Sequence, residues 1–340
     1  IMKKKLMLGL AVLGSFSLQA QDEIQTILRA GVEDATRFSE SYIAPAAEAT
    51  IYSLANGWYN SGEAKETLHF EVSVVANVAL VSDDKQNFNL NVNDYNYISF
   101  PDGSQSKSVA TVFGENNPDQ MIIVEYETDN GTETTQFTLP QGLGSSNINF
   151  VPTAYLQGSL GLVKGFEVKA RFLPEVDYDG AKTKFYGAAL QHEFTSWLTS
   201  WLTGGKLLPV AISGLVGYNR IEASYDLDST PVQGSNQTIN TEMNSWMFSA
   251  IASTKLPVIN FYAGLGYVSG NAKTYLDGSY TIDEGPLAGQ TLVNPYSVTT
   301  NVSGVNATLG FKLKLAFFRL NASYSFQEYQ NVNLGINFGY

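Results

Sequence analysis

The sequence predicts an all-β transmembrane fold: a single antiparallel β-barrel of 12–14 strands with a short N-terminal helix. Three observations carry this. First, residues 152–178 read PTAYLQGSLGLVKGFEVKARFLPEVDY, two strictly alternating runs about Lys164–Gly165. Successive side chains of a strand point to opposite faces, so each run has one apolar and one polar face. Second, the runs are long. A strand crossing a bilayer needs about 9–11 residues, whereas an ordinary strand has about five or six. Third, the pattern recurs to the C-terminus, and no later stretch approaches the ~18 consecutive apolar residues of a membrane-crossing helix.

The elements follow in order. Lys3–Lys5, the apolar run Leu6–Phe16 and Ser17-Leu18-Gln19-Ala20 form a secretory signal peptide, residues 1–20, cleaved before Gln21. Residues 21–48 form an N-terminal helical segment. Ile24, Ile27, Leu28, Val32, Ala35 and Phe38 recur at helical spacing between Asp22 and Tyr42, and Pro45 lies just past the expected end. Such a stripe needs a partner, so the helix is either a small periplasmic element or a plug in the lumen. As a plug it would enter from the periplasmic side, with Glu23, Glu33 and Asp34 toward basic residues at that mouth.

Residues 49–340 form the barrel. Ala49–Tyr59 and Leu68–Leu80 read as its first hairpin, and Phe88, Leu90 and Val92 among asparagines as a third strand. Residues 101–148 break the rhythm. Asn130-Gly131 between β-rich runs marks a hairpin there, either two more wall strands or a piece folded over or into the lumen. Then come Thr183–His192, an amphipathic piece Phe194–Leu202 with Trp197 and Trp201 at a membrane interface, and strands over 210–225, 245–256 and 259–268. In the last three strands Val305, Ala307, Leu309, Phe311 and Leu313, then Leu320, Ala322 and Tyr324, then Leu334, Ile336 and Phe338 face lipid. Outer-membrane barrels keep turns short in the periplasm and loops long outside. That places loops near 101–148, 227–240 and 276–296 outside, and turns near 83, 164, 257 and 316 inside.

Charge and composition exclude several functions. Removing Lys3–Lys5 leaves 17 basic against 32 acidic residues, which argues against a nucleic-acid partner. Without cysteine there is no disulfide framework, thiolate metal site or cysteine nucleophile. The two histidines, His69 and His192, stand far apart and form no triad or metal signature, so neither an enzyme, a metal nor a cofactor is expected. The polar constellation is basic. Lys169, Lys255, Lys312, Lys314 and Arg319 face the lumen by parity near periplasmic strand ends, joined by lumenal His69, Glu167, Arg171 and Asn321. Such a cluster either pairs with lumenal acids or attracts anionic head groups at an exit.

The chain resembles uncharacterised Bacteroidetes-type outer-membrane β-barrels. The residues that carry this are Ala20-Gln21, the closing strand ending on Phe338 and Tyr340, Ala30–Ala35, Asn56–Asn60, Leu139–Leu143 and Gly165–Pro174. It is more distantly similar to the FadL-like long-chain fatty-acid and hydrocarbon transporters, which have 14 strands and an N-terminal hatch. Ala55-Asn56-Gly57-Trp58 stands here in place of their Asn-Pro-Ala-Gly. The resemblance implies a bacterial outer-membrane protein for passive uptake of small hydrophobic or amphipathic molecules. Its partners are then membrane lipid, the barrel-insertion machinery and a hydrophobic small-molecule ligand. The other expectation is a structural or assembly protein binding another envelope component.

Overall fold

The computed structural model describes residues 27–128, 131–178, 180–203, 210–227, 233–315 and 317–339. The expected signal peptide, Glu23, Ile24, Asn130 and Tyr340 lie outside the described residues.

The wall is a closed antiparallel barrel. Its strands are β1 (Phe70–Leu80), β7 (Phe150–Gly161), β8 (Phe166–Tyr178), β9 (Ala181–Glu193), β10 (Val210–Asp226), β11 (Gly234–Thr254), β12 (Ile259–Thr281), β14 (Ser297–Leu315), β15 (Phe318–Phe326) and β16 (Asn331–Gly339). They neighbour one another in that order, and β16 returns to β1 with Val72 opposite Phe338. The wall therefore has ten strands, not the 12–14 expected.

The missing strands went elsewhere. The expected strand 49–59 is helical as far as Ala55. The asparagine-rich run is β2 (Asn87–Asn91), which pairs outside the wall with β4 (Ser106–Ala110). β3 (Ile98–Ser99), β5 (Met121–Thr128) and β6 (Gly131–Thr138) form a second small sheet. All belong to one excursion between β1 and β7, over residues 81–149, so the turn near 83 lies at the long-loop end. A further short strand, β13 (Thr291–Val293), pairs only with the end of β12. One end of the barrel thus carries the excursion and the loops 227–233 and 282–296. The other carries the short turns and a short helix, α2 (Thr195–Thr203).

Outside, the wall reads as lipid-facing. Val305 is 77% exposed, Leu265 71% and Leu309 57%, each on the outward parity of its strand. Tyr186, Tyr218, Trp246 and Tyr267 close this apolar band toward the loop end, with Tyr218 opposite Trp246 and Phe248 opposite Tyr267. Beyond them the outward face turns charged, at Lys184, Arg220, Glu222, Glu242 and Lys273. Phe70, Phe261, Phe317 and Phe338 are exposed toward the turn end, where α2 presents Trp197 and Trp201. Two aromatic girdles around an apolar band are how a membrane barrel meets its two interfaces. Among the described residues no helix is long and apolar enough to cross a membrane.

A helix and the linker after it occupy most of the lumen. The 24-residue helix, α1 (Val32–Ala55), lies within it and buries Phe38, Tyr42, Ile51, Tyr52 and Leu54. It runs past Tyr42 and through Pro45, which was expected to follow its end. A proline inside a helix forfeits one backbone hydrogen bond. Here burial on several sides outweighs that cost, and Ala44, Ala46, Ala47 and Ala49 keep the helix slim enough to fit.

Candidate functional site

The direction of α1 sets the site. Its first turn lies at the loop end, where the Asp34 carboxylate accepts the backbone N–H groups of Asn96 (2.8 Å) and Tyr97 (2.9 Å). Glu33 accepts from the Asn96 amide at 3.1 Å. Just before the helix, Arg29 donates to Asp283 at 2.7 and 3.0 Å. The expectation that Glu33 and Asp34 meet the basic cluster at the periplasmic mouth is therefore corrected. The helix descends from the loop end, and its acids sit at its own N-terminus, where the helix dipole favours them.

Its C-terminus ends in mid-lumen, and wall side chains satisfy the carbonyls a helix end leaves free. Arg171 donates to the Leu54 carbonyl and to the Asn56 carbonyl, both at 2.8 Å. Asn219 also donates to Leu54, at 3.0 Å, and the Tyr155 hydroxyl to Asn56, at 2.9 Å. Gly57 turns the chain there with φ +76°, and a Cβ would lie 2.8 Å from the Tyr155 oxygen. Trp58 then stacks on Arg171, and Tyr59 packs edge-on against Tyr262. The linker 56–69 fills the rest of the lumen down to β1.

At the turn end the linker meets a buried charge network. Lys65 bridges two wall carboxylates, Glu167 at 2.9 Å and Glu71 at 3.4 Å. Lys169 pairs with Glu167 at 2.8 Å. Arg319 and Lys312 approach Glu71 at 3.3 and 3.8 Å, and Lys312 donates to the Asn60 side chain at 2.9 Å. Of the cluster read from parity, Lys169, Lys312, Arg319 and Glu167 thus come together. Lys255 instead pairs with Glu193 at 3.1 Å, and Lys314 is a rim residue reaching the Leu256 carbonyl at 3.5 Å. Arg171 lies apart, higher in the lumen. Asn321 belongs to a ladder of wall amides, bonded to Asn333 (3.2 Å) and Asn337 (2.7 Å). His69 is half-buried at the turn end, 3.9 Å from Glu66. His192 faces outward and stacks on Phe166. Among the described residues no three acidic or histidine side chains gather as a metal site.

Sequence reasoning missed Lys65 and Glu71 as partners and Trp58 as the plug's anchor. Glu71 had a signal, being a charge on the lumen parity of β1. Lys65 and Trp58 had none, because a linker has no periodicity.

A cavity of about 180 Å³ lies between α1 and the upper parts of β9–β12. Ile27, Ile43, Ala46 and Ala47 of the plug face Ile221, Ile239, Met243 and Leu276 of the wall across it. Tyr42, Tyr225 and Tyr296 add aromatic surface, and the lining is predominantly apolar.

A family model described as a family of unknown function (DUF6588) matches residues 2–340, and the chain belongs to that family. No curated protein matches it. Among solved structures it is similar to Ail, the attachment invasion locus protein of Yersinia pestis, at 8% identity and a TM-score of 0.28, over 81% of this chain and 99% of that one. It is also similar to the translocator domain of the autotransporter NalP from Neisseria meningitidis, at 10% identity and a TM-score of 0.27, over 89% and 96%. The outer membrane transporter YddB from Escherichia coli matches at 11% identity and a TM-score of 0.28, over 79% and 41%.

Proposed function

We propose that this barrel lies in the bacterial outer membrane and takes up small hydrophobic or amphipathic molecules, without chemistry on them, through the cavity beside α1. The cavity carries the reading. It is an apolar space in a lumen whose other side chains are mostly polar or charged, and such pockets with few polar groups are where small ligands bind. The even strand count, the apolar outer band and the two aromatic girdles support the location. With short turns in the periplasm, the cavity falls on the external side, below the loops. Passage then requires the linker 56–69 to shift. Lys169, Lys312 and Arg319, with Lys255 and Lys314 toward the rim, would then line the way out and favour anionic head groups. β16, which pairs with β15 on one side and β1 on the other, is the strand we assign to the barrel-insertion machinery.

The test is uptake of an apolar fluorescent probe by liposomes containing the full barrel. Met243→Trp, which fills the cavity, should stop uptake while the melting temperature confirms a folded wall. A folded Met243→Trp barrel that transports at the wild-type rate would overturn the reading.

A further inference from the structure

Arg171 is the unusual charge of this lumen. It is fully buried, and its hydrogen bonds go to Gln157 (2.8 Å), Asn219 (3.3 Å) and the carbonyls of Leu54 and Asn56 (both 2.8 Å). None of these partners is a carboxylate. The other buried lumenal cations, Lys169 and Lys312, each lie within 4 Å of a glutamate. A buried cation held only by neutral acceptors has unused attraction for an anion, since charge-assisted bonds are about twice as strong as neutral ones. A second donor stands beside it. The indole N–H of Trp58, also fully buried, has no hydrogen-bond acceptor among the described residues.

This pair sits beneath the apolar cavity. Thr50 of α1 lines the cavity, and Leu54, whose carbonyl Arg171 holds, is one helical turn further down, about 6 Å along the axis. On the wall, Ile221 and Thr183 line the cavity, while Asn219, one lumen-facing step below Ile221, and Gly187, two below Thr183, lie beside Arg171. Phe185, tilted against Tyr155, lies between the two levels.

We propose that Arg171, with the Trp58 indole N–H, recognises the carboxylate of a small monocarboxylic acid whose apolar tail occupies the cavity, and that this exchange unfastens the plug. The inference rests on the cavity being a ligand site, as proposed above. The carboxylate replaces the Leu54 and Asn56 carbonyls as acceptor. The Leu54 and Asn56 carbonyls then keep only the neutral donors Asn219 and Tyr155, and the linker gains freedom to move. Binding and opening are coupled because one guanidinium serves both. A ligand can shift such an equilibrium only through a difference in affinity for the two states, and the anion supplies it.

The experiment uses the full chain in nanodiscs with Trp197, Trp201 and Trp246 replaced by Phe, so that Trp58 is the only fluorophore of its kind. Two probes of matched size, 4-phenylbutyrate and 4-phenylbutanol, are titrated at pH 8. The acid should bind roughly ten- to a hundredfold more tightly than the alcohol and change Trp58 emission. Arg171→Gln should bring the two affinities together, and Arg171→Lys should restore part of the preference. The acid and the alcohol are compared within one chain that keeps Arg171 and Trp58, its fold checked by melting temperature against the wild type. Equal affinities for acid and alcohol in that folded chain would overturn the role of Arg171 and leave the cavity as a ligand site. Binding of neither probe would overturn the cavity reading and this inference together.

Discussion

The guanidinium of Arg171 lies over the indole of Trp58, its central carbon 3.5 Å from the ring centroid. One residue belongs to the wall and the other to the plug. The same guanidinium lies 4.3 Å from the ring of Tyr155, so the cation is held between two aromatic faces. Cation–π contacts gain strength when desolvated, as this one is. A single arginine therefore fixes helix end, linker and wall at one level of the lumen.

Trp58→Ala should loosen the plug. Truncating a fully buried tryptophan costs about 3–5 kcal/mol, and the stack on Arg171 is lost with it. Planar-bilayer recordings should show open events that the wild type lacks. Gly217→Val should do the same from the wall side, because a Cβ there would meet the Trp58 indole nitrogen at 2.6 Å. Closed traces for both folded variants would remove Trp58 from the seal.

Deletions distinguish helix from linker. Removing residues 21–42 takes away only the outer part of α1 and leaves Trp58, Tyr59 and Lys65 in place. Conductance should stay near wild type. Removing residues 21–66 should open the pore, with the folded wall checked by its heat-resistant mobility on gels. Equal conductance from the two deletions would mean that the linker does not close the lower lumen.

The charge network predicts unequal costs. Glu71 is approached by Lys65, Lys312 and Arg319, so Glu71→Ala leaves buried cations uncompensated and should cost about 3–5 kcal/mol. Lys65→Ala should cost clearly less, since Glu167 keeps Lys169 and Glu71 keeps Arg319. Urea unfolding in detergent micelles ranks the two, and a larger loss for Lys65→Ala would contradict the network.

The lipid face is tested at Leu309 and Leu265. Arginine at either, near the middle of the apolar band, should destabilise by about 2–4 kcal/mol. Asn271→Arg is outward too but lies beyond Tyr267, and should cost about 0–1 kcal/mol. Refolding into lipid vesicles measures all three.

Acid should release the outer latch. Hydrogen bonding from Arg29 holds the Asp283 carboxyl below the usual carboxylate range. A group with a depressed folded value stabilises fully above its unfolded value, about 4, and loses that contribution as pH falls through the folded one. The chain has no cysteine, so spin labels at Glu33→Cys and Gly289→Cys report the gap between α1 and the 282–296 loop. Their distance distribution should stay narrow from pH 8 to about 5 and broaden well below 4. With Asp283→Asn it should be broad throughout; a narrow distribution in that variant would exclude the latch.

The barrel class, the lipid-facing residues of the last three strands and the lumenal parity of Lys169, Lys312 and Arg319 were all legible in the sequence. The physical reason is local. A wall strand has lipid on one side and lumen on the other, so its period-two pattern records both environments without reference to any other strand. The strand number was not legible, because 49–59 and 87–92 carry short alternations that a helix and a loop sheet tolerate equally well. Only the closed tertiary structure decided that ten strands suffice and that the interior they enclose accepts one helix. It also decided the direction of α1, since an amphipathic stripe is the same read from either end. Finally, it placed Arg171 under Trp58 and Lys65 between two glutamates. Arg171 and Trp58, like Glu167 and Lys65, are separated by about a hundred residues or more, and only closing the wall around the plug brings them together.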